Sequence, residues 1–367
     1  MADIRVERLA DLSVNYSVDV KENQEIYIAG PTVSFSLIEQ IYKHVLLAGA
    51  HPSVVLQDQR LQDMYYLHAQ DFQLEHVSPI SRHAIKTADI LIHVKAERNP
   101  KHLANVNPEK IAQTTAAQRE LSDIMTDRIK KGELSWTLVP FPTESMAQEA
   151  SMSLLEYEDF VYKACFAHTE NPKKEWQKMS QKQQKIVDYL MKKSEIRYTG
   201  EDTDITFWVK GRTWVNADGK KNMPDGEVFT GPHEDATEGT IRFTYPAIYK
   251  GNEVEDIRLT FKNGVVTEAK AKKGEDLLNR MVNLDEGSNK VGEVAIGTNN
   301  QIIQFTKDML FDEKMGGTIH IALGRGIPET GSDNTSAIHW DMLKDMKNGG
   351  KIFADGELCY ENGKFII

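Results

Sequence analysis

Five residues of this 367-residue chain have the types and settings that divalent-metal chemistry needs: Glu227, Glu293, His320, His339 and Asp341. Three of them fall in one stretch, Thr318 to Asp341, which reads TIHIALGRGIPETGSDNTSAIHWD. Alternation over Thr318-Ile319-His320-Ile321-Ala322-Leu323 predicts a strand on which His320 shares a face with Thr318 and Ala322, opposite Ile319, Ile321 and Leu323. Gly324 and Gly326 break that run, and Pro328, Gly331, Asp333 and Asn334 predict a loop. The chain returns as Ala337-Ile338-His339-Trp340-Asp341. In extended backbone His339 and Asp341 point the same way, whereas on a helix they would diverge by about 160°. A His-x-Asp pair alone is more often a satisfied surface pair than a ligand set, so the rest of the chain decides.

Two more acids stand where a strand prefers something else. In Met223-Pro224-Asp225-Gly226-Glu227-Val228-Phe229-Thr230, Glu227 begins an extended apolar run. In Val291-Gly292-Glu293-Val294-Ala295-Ile296-Gly297, strict alternation puts Glu293 on one face with Val291 and Ala295. Glutamate is depleted in strands, and a buried carboxylate is costly unless it is paired or binds metal. Three carboxylates and two neutral imidazoles suit a pair of divalent cations, with a residual charge of about +1 that a bridging hydroxide can neutralise. The mixed nitrogen and oxygen set, without thiolates, points to zinc, cobalt, manganese or iron rather than calcium.

The remaining composition excludes other classes. A net charge of -11, with no long basic run, argues against a sequence-independent grip on nucleic acid. Cys165 and Cys359 lie far apart among apolar neighbours, as buried thiols do. Met1 to Glu7 carries charge where a signal peptide needs its apolar run, and no segment reaches the ~18 apolar residues of a membrane helix. A cytoplasmic protein is the expectation. The scattered histidines at 44, 51, 68, 76, 83, 93, 102, 168 and 233 read as structural.

The elements that must position the five ligands change in texture along the chain. Ile26–Gly30, a helical pattern over Leu37–Leu47 and Ser53–Leu56 form a βαβ unit, and Asp89–Val94, a helix over Pro108–Lys131 and Ser135–Val139 continue it. The first domain, residues 1–170, is therefore expected to be α/β with an open, mainly parallel sheet. No Gly-x-Gly-x-x-Gly follows its strands, so a dinucleotide site is unsupported. Residues 171–195 read as a polar helical connector. Residues 196–367 read as an α+β, β-rich domain of short strands, with turns at Asp218-Gly219, Lys250-Gly251 and Asn263-Gly264 and one helix near Asp276–Leu284.

At the candidate ligands the sequence resembles the metallo-aminopeptidases of the aminopeptidase T and aminopeptidase S type. The motifs are MPDGEVFTGP (223–232), GEVAIGTN (292–299), HIALG (320–324) and HWD (339–341). LLAGAHPSVVL (46–56), NPEKIA (107–112) and SLLEYEDFVY (153–162) extend the likeness through the first domain. The resemblance implies that Glu227, Glu293, His320, His339 and Asp341 hold two divalent metals, zinc or cobalt first, manganese or magnesium next. It also implies removal of N-terminal residues from peptides by a two-metal-activated hydroxide, and a homodimer. Glu227 or Glu293 would carry the proton; spacing does not choose between them. The family pattern has a tyrosine after HIALG, thought to stabilise the oxyanion, where this chain has Ile327, whose side chain donates no hydrogen bond. Three readings follow from this departure: Arg325 serves as another donor, the protein is a slow peptidase, or the metal site does other work. Two alternatives stand beside this reading. His320, His339 and Asp341 alone form the two-histidine, one-carboxylate set of mononuclear iron oxygenases, and ring-cleaving dihydroxypyridine dioxygenases resemble the same fold. The other is a non-catalytic relative whose site stabilises the fold.

Overall fold

The computed structural model describes residues 3–249 and 251–367. Met1, Ala2 and Lys250, the last being half of one expected turn, lie outside the described residues. The chain forms two compact units, Met1–Lys173 with Gly219–Pro224, and Lys174–Asp218 with Asp225–Ile367.

The first unit is built on four strands, β1 (Glu25–Pro31), β2 (His51–Gln57), β3 (Ile90–Lys95) and β4 (Ser135–Pro140), in the order β2-β1-β3-β4. Every pairing is parallel. The expected open α/β sheet is therefore the observed one. The helix Phe35–Leu47 buries Leu37, Ile38, Ile41 and Val45. Tyr42 and Leu46, also apolar at helical spacing, are 40% and 52% exposed, because they flank the stripe that meets the sheet. Strand β2 lies at the sheet edge and leaves Val54, Val55 and Leu56 exposed. The long helix Pro108–Lys130 starts where the sequence marks it, with the Asn107 side chain accepting from Glu109 N and proline in the first turn.

The second unit is β-rich, as the turn spacing predicts. One sheet contains β5 (Glu195–Gly200), β6 (Thr203–Trp208), β9 (Glu238–Arg242), β12 (Arg258–Lys262), β13 (Val265–Lys270), β17 (Lys351–Ala354), β18 (Glu357–Glu361) and β19 (Lys364–Phe365). A five-stranded sheet contains β7 (Val215–Ala217), β8 (Glu227–Thr230), β14 (Val291–Gly297), β15 (Thr318–Gly324) and β16 (His339–Asp345), in the order β16-β15-β14-β8-β7. A small hairpin pairs β10 (Ala247–Tyr249) with β11 (Asn252–Val254). Asn263 and Gly264, at φ 50° and 79°, form the two-residue loop of the hairpin β12–β13, as the Asn-Gly signal requires. The helix Glu275–Val282 matches the one expected there.

The two large sheets share one hydrophobic core. Tyr198, Ile205, Phe207, Leu259 and Phe261 come from the eight-stranded sheet; Val228, Val294, Ile296, Ile319, Ile321, Leu323, Trp340 and Met342 come from the five-stranded one. The second list fixes the site, because its members alternate with the candidate ligands. With one face of β8, β14, β15 and β16 committed to this core, the intervening residues must point the other way.

Candidate metal centre

Antiparallel registry collects the ligand face. Glu293 pairs with Ala322 and Ala295 with His320 across β14 and β15. Ala322 pairs with Asp341, and Gly324 with His339, across β15 and β16. Gly297 pairs with Glu227 across β14 and β8. The face therefore carries Glu227, Glu293, His320, His339 and Asp341 among alanines and glycines, whose small side chains leave room between the ligands.

One expectation from strict alternation fails. Val291 does not share the face of Glu293; it is buried in the core. The register shifts between Val291 and Glu293, so Gly292 is the extra residue of a β-bulge. A bulge re-aims the side chains on either side of it. Only glycine fits, because a Cβ there would come within 2.3 Å of Gly324 O and 2.6 Å of Arg325 O.

The five side chains meet. His320 Nε2 lies 3.4 Å from Glu227 Oε2 and 3.4 Å from Glu293 Oε1, and His339 Nε2 lies 3.4 Å from Glu293 Oε2 and 3.5 Å from Asp341 Oδ1. Donor atoms within 4.8 Å of one another form three sets: Glu227, Glu293 and His320; Glu293, His339 and Asp341; Glu313, His320 and Asp341. Glu293 belongs to the first two and is the hinge of the cluster. The spacings exceed the 2.7–2.9 Å of strong charge-assisted hydrogen bonds. Glu227 Oε2 and Asp341 Oδ1 are buried and, among the described residues, have no hydrogen-bond partner. Burying such atoms unpaired is costly, and a divalent cation among the carboxylate oxygens and imidazole nitrogens removes most of that cost. The residues fit metal.

Backbone contacts hold the ligands in aim. His339 Nδ1 lies 2.7 Å from Arg325 O, which fixes the ring tautomer with Nε2 free to ligate. Gln183, fully buried in the helix Pro172–Leu190, donates to Glu227 O at 2.8 Å and Ala217 O at 2.9 Å. Asp285 accepts from Ser336 Oγ and Ala337 N, both at 2.8 Å, and so anchors the loop that leads into His339.

On the protein's own charges the carboxyls divide. Burial pushes Glu227 well above the ordinary glutamate range, with Lys314 and His320 pulling the other way. Burial also opposes ionisation of Glu293, but the two neighbouring imidazoles win and hold it low. Asp341, against the same burial, is pulled down to about 2 by His339 first. His320 is raised to about 9: burial works against its charge, and Glu293 and Glu227 outweigh it. This division is the kind that separates acid and base roles.

Sequence reasoning did not reach Glu313 and Lys314. They follow the short helix Met309–Asp312, and Lys314 is fully buried, in contact with Glu313 and 4.0 Å from Glu227 Oε1. Three charged residues in a row, Asp312 to Lys314, between Phe311 and Met315 and just ahead of the His320 strand, are the signal that could have found them. Arg325, expected as an oxyanion donor, has an exposed side chain that makes no ion pair among the described residues. Its backbone is what the site uses. Ile327 is half-buried, and its carbonyl accepts from Thr330 N and Oγ1.

A model of the thermophilic metalloprotease family (M29) matches residues 2–365. The chain belongs to this family. Among M29 relatives, Aminopeptidase 2 of Geobacillus stearothermophilus is 29% identical over 92% of this chain and 87% of its own. Aminopeptidase AmpS of Bacillus subtilis is 29% identical over 98% and 97%, and Aminopeptidase T of Thermus thermophilus 26% identical over 88% and 85%. The solved structure of wild-type AmpT from Thermus thermophilus covers 99% of both chains, with a TM-score of 0.87 at 23% identity. A 2,5-dihydroxypyridine dioxygenase from Pseudomonas putida KT2440 covers 98% of this chain with a TM-score of 0.59 at 11% identity, which speaks for a shared fold alone. This M29 protein is thus a hydrolase of the metalloprotease class. Among the described residues no helix is long and apolar enough to cross a membrane.

Proposed function

We propose that this protein is an aminopeptidase that removes N-terminal residues from peptides, using two divalent ions, zinc or cobalt, held by Glu227, Glu293, His320, His339 and Asp341. The observation that carries the reading is the shared position of Glu293, whose two oxygens each lie 3.4 Å from a different histidine. That is the placement of a carboxylate serving two ions. Ions held there supply a Lewis acid for a peptide carbonyl and bring the pKa of a water towards neutrality.

The chain's own residues do the rest. Glu293, kept ionised beside His320 and His339, orients both rings. Glu227 or Glu293 would carry the proton to the leaving amine. Asp341, 3.5 Å from His339 Nε2, would share that ring's ion. With Ile327 in place of a hydroxyl donor, ions held there would have to stabilise the oxyanion, and Arg325 is proposed as a further donor. A homodimer in the cytoplasm is part of the same proposal. The single-iron alternative leaves Glu227 and Glu293 without a role, and the relatives named aminopeptidases weigh against it.

The test is hydrolysis of unblocked dipeptides and aminoacyl arylamides by protein loaded with zinc or cobalt, with E293Q beside it. Release of the first residue that E293Q loses, together with two metal equivalents per chain, is the expected result. A metal-loaded protein inert across the panel, or one iron per chain, overturns the reading.

A further inference from the structure

Lys314 is a lysine with none of its surface exposed, set inside a cluster of acids. Its Nζ contacts Glu313 and lies 4.0 Å from Glu227 Oε1, and Asp225 acts on it as well. Asp225 is itself 3% exposed and Glu227 6%. Backbone holds the lysine in place. Asn299 N donates to Lys314 O at 3.0 Å, and Lys314 N to Phe311 O at 3.1 Å. Gly297, the residue paired with Glu227, makes this approach possible: a Cβ there would stand 2.1 Å from Met315 O and 3.0 Å from Lys314 C. The glycine that bares the sheet opposite Glu227 is thus what admits the lysine.

From this geometry we infer that the Lys314 ammonium is a resident cation of the metal centre: it holds Glu227 and Glu313 in position and competes with the divalent ion that Glu227 ligates. Lys314 is then a positioning residue. Its Nζ sits against Glu313 and 4.0 Å from Glu227 Oε1, with no exposed surface, so the ammonium is fixed between the two carboxyl groups. A fixed positive charge 4.0 Å from a ligand oxygen repels an incoming dication. Loss of that charge removes a repulsion beside a ligand oxygen, so metal binding tightens.

The inference rests on the reading that the cluster binds divalent ions. Its test is zinc bound per chain against buffered free zinc, for the full-length wild type and K314M, with thermal melting of both in EDTA. In K314M the midpoint for the more weakly held zinc should fall by about tenfold or more. Its EDTA-treated form should melt below the wild type, because Glu313 and Glu227 have lost their counter-charge. A lysine with a merely structural role would lower melting and affinity together. Unchanged or weaker zinc binding in K314M overturns the role of Lys314, whereas a wild type that binds no zinc overturns the metal reading itself. If K314M does not fold without metal, refolding across zinc concentrations decides: recovery by zinc supports the inference, and failure at every concentration counts against it.

Discussion

Replacing Gly292 by alanine should damage the metal centre although the residue has no side chain and ligates nothing. An alanine Cβ would stand 2.3 Å from Gly324 O and 2.6 Å from Arg325 O. Real Cβ atoms keep at least 3.0 Å, so the β14–β15 backbones must part by about 0.7 Å at the nearer contact. Both partners are backbone atoms, so no rotamer change can relieve the clash. Two ligands ride on this junction. Glu293 is the next residue along the bulged strand, and Arg325 O accepts the hydrogen bond that orients His339. A misplacement near 1 Å costs ~10²-fold in rate, and overpacking of this kind costs ~1–3 kcal/mol in stability. G292A should therefore lose ~30–100-fold in kcat/KM on an aminoacyl arylamide, bind zinc at least tenfold more weakly, and unfold at lower urea. The assays are steady-state kinetics, chelator competition and urea titration. A G292A protein within threefold of the wild type in kcat/KM, with unchanged zinc affinity, would refute the claim that the bulge aims Glu293.

Other perturbations bear on separate parts of the reasoning. D285A removes the acceptor for Ser336 Oγ and Ala337 N, so it should cost ~1–3 kcal/mol and lower zinc affinity by loosening the approach to His339, measured by urea titration and chelator competition. In EDTA, stability should fall as pH rises from ~6.5 through 9. Folded His320, at about 9, keeps a proton that the unfolded chain has released, so its contribution is complete below ~6.5 and lost above 9. Zinc-loaded protein should gain stability over the same interval, since ligation requires neutral imidazole; urea titrations at several pH values compare the two. Cys165 and Cys359 are buried, and burial pushes both thiols up, Cys359 to about 11, so neither should react with a thiol reagent at pH 8 until denaturant is added.

Much of the site can be read in the sequence because it lies on strands with one face committed to a core. Ile319, Ile321 and Leu323 alternate with His320 and Ala322, and period-two patterning is enough to assign the faces. Val291 and Glu293 cannot be separated that way, since the bulge depends on how closely β14 approaches Gly324 and Arg325. Glu313 and Lys314 escape for a different reason. They lie on no periodic element, and the close approach of the Lys314 and Met315 backbone to Gly297 is a contact that local pattern does not encode. The exposed flank at Tyr42 and Leu46 is a similar case: helical spacing sets the stripe, but how much of it the sheet covers is tertiary.

The alternation that builds the ligand face also acts as a check on assembly. Along β15 His320 and Ala322 are each bracketed by core aliphatics, so a slip of one residue against β14 would drive His320 into the core and turn Ile319 and Ile321 outwards. No register carries half a site at half the cost. A chain that has paired these strands correctly has, in the same event, brought Glu293, His320 and Asp341 onto one face, and one that has not is too unstable to persist.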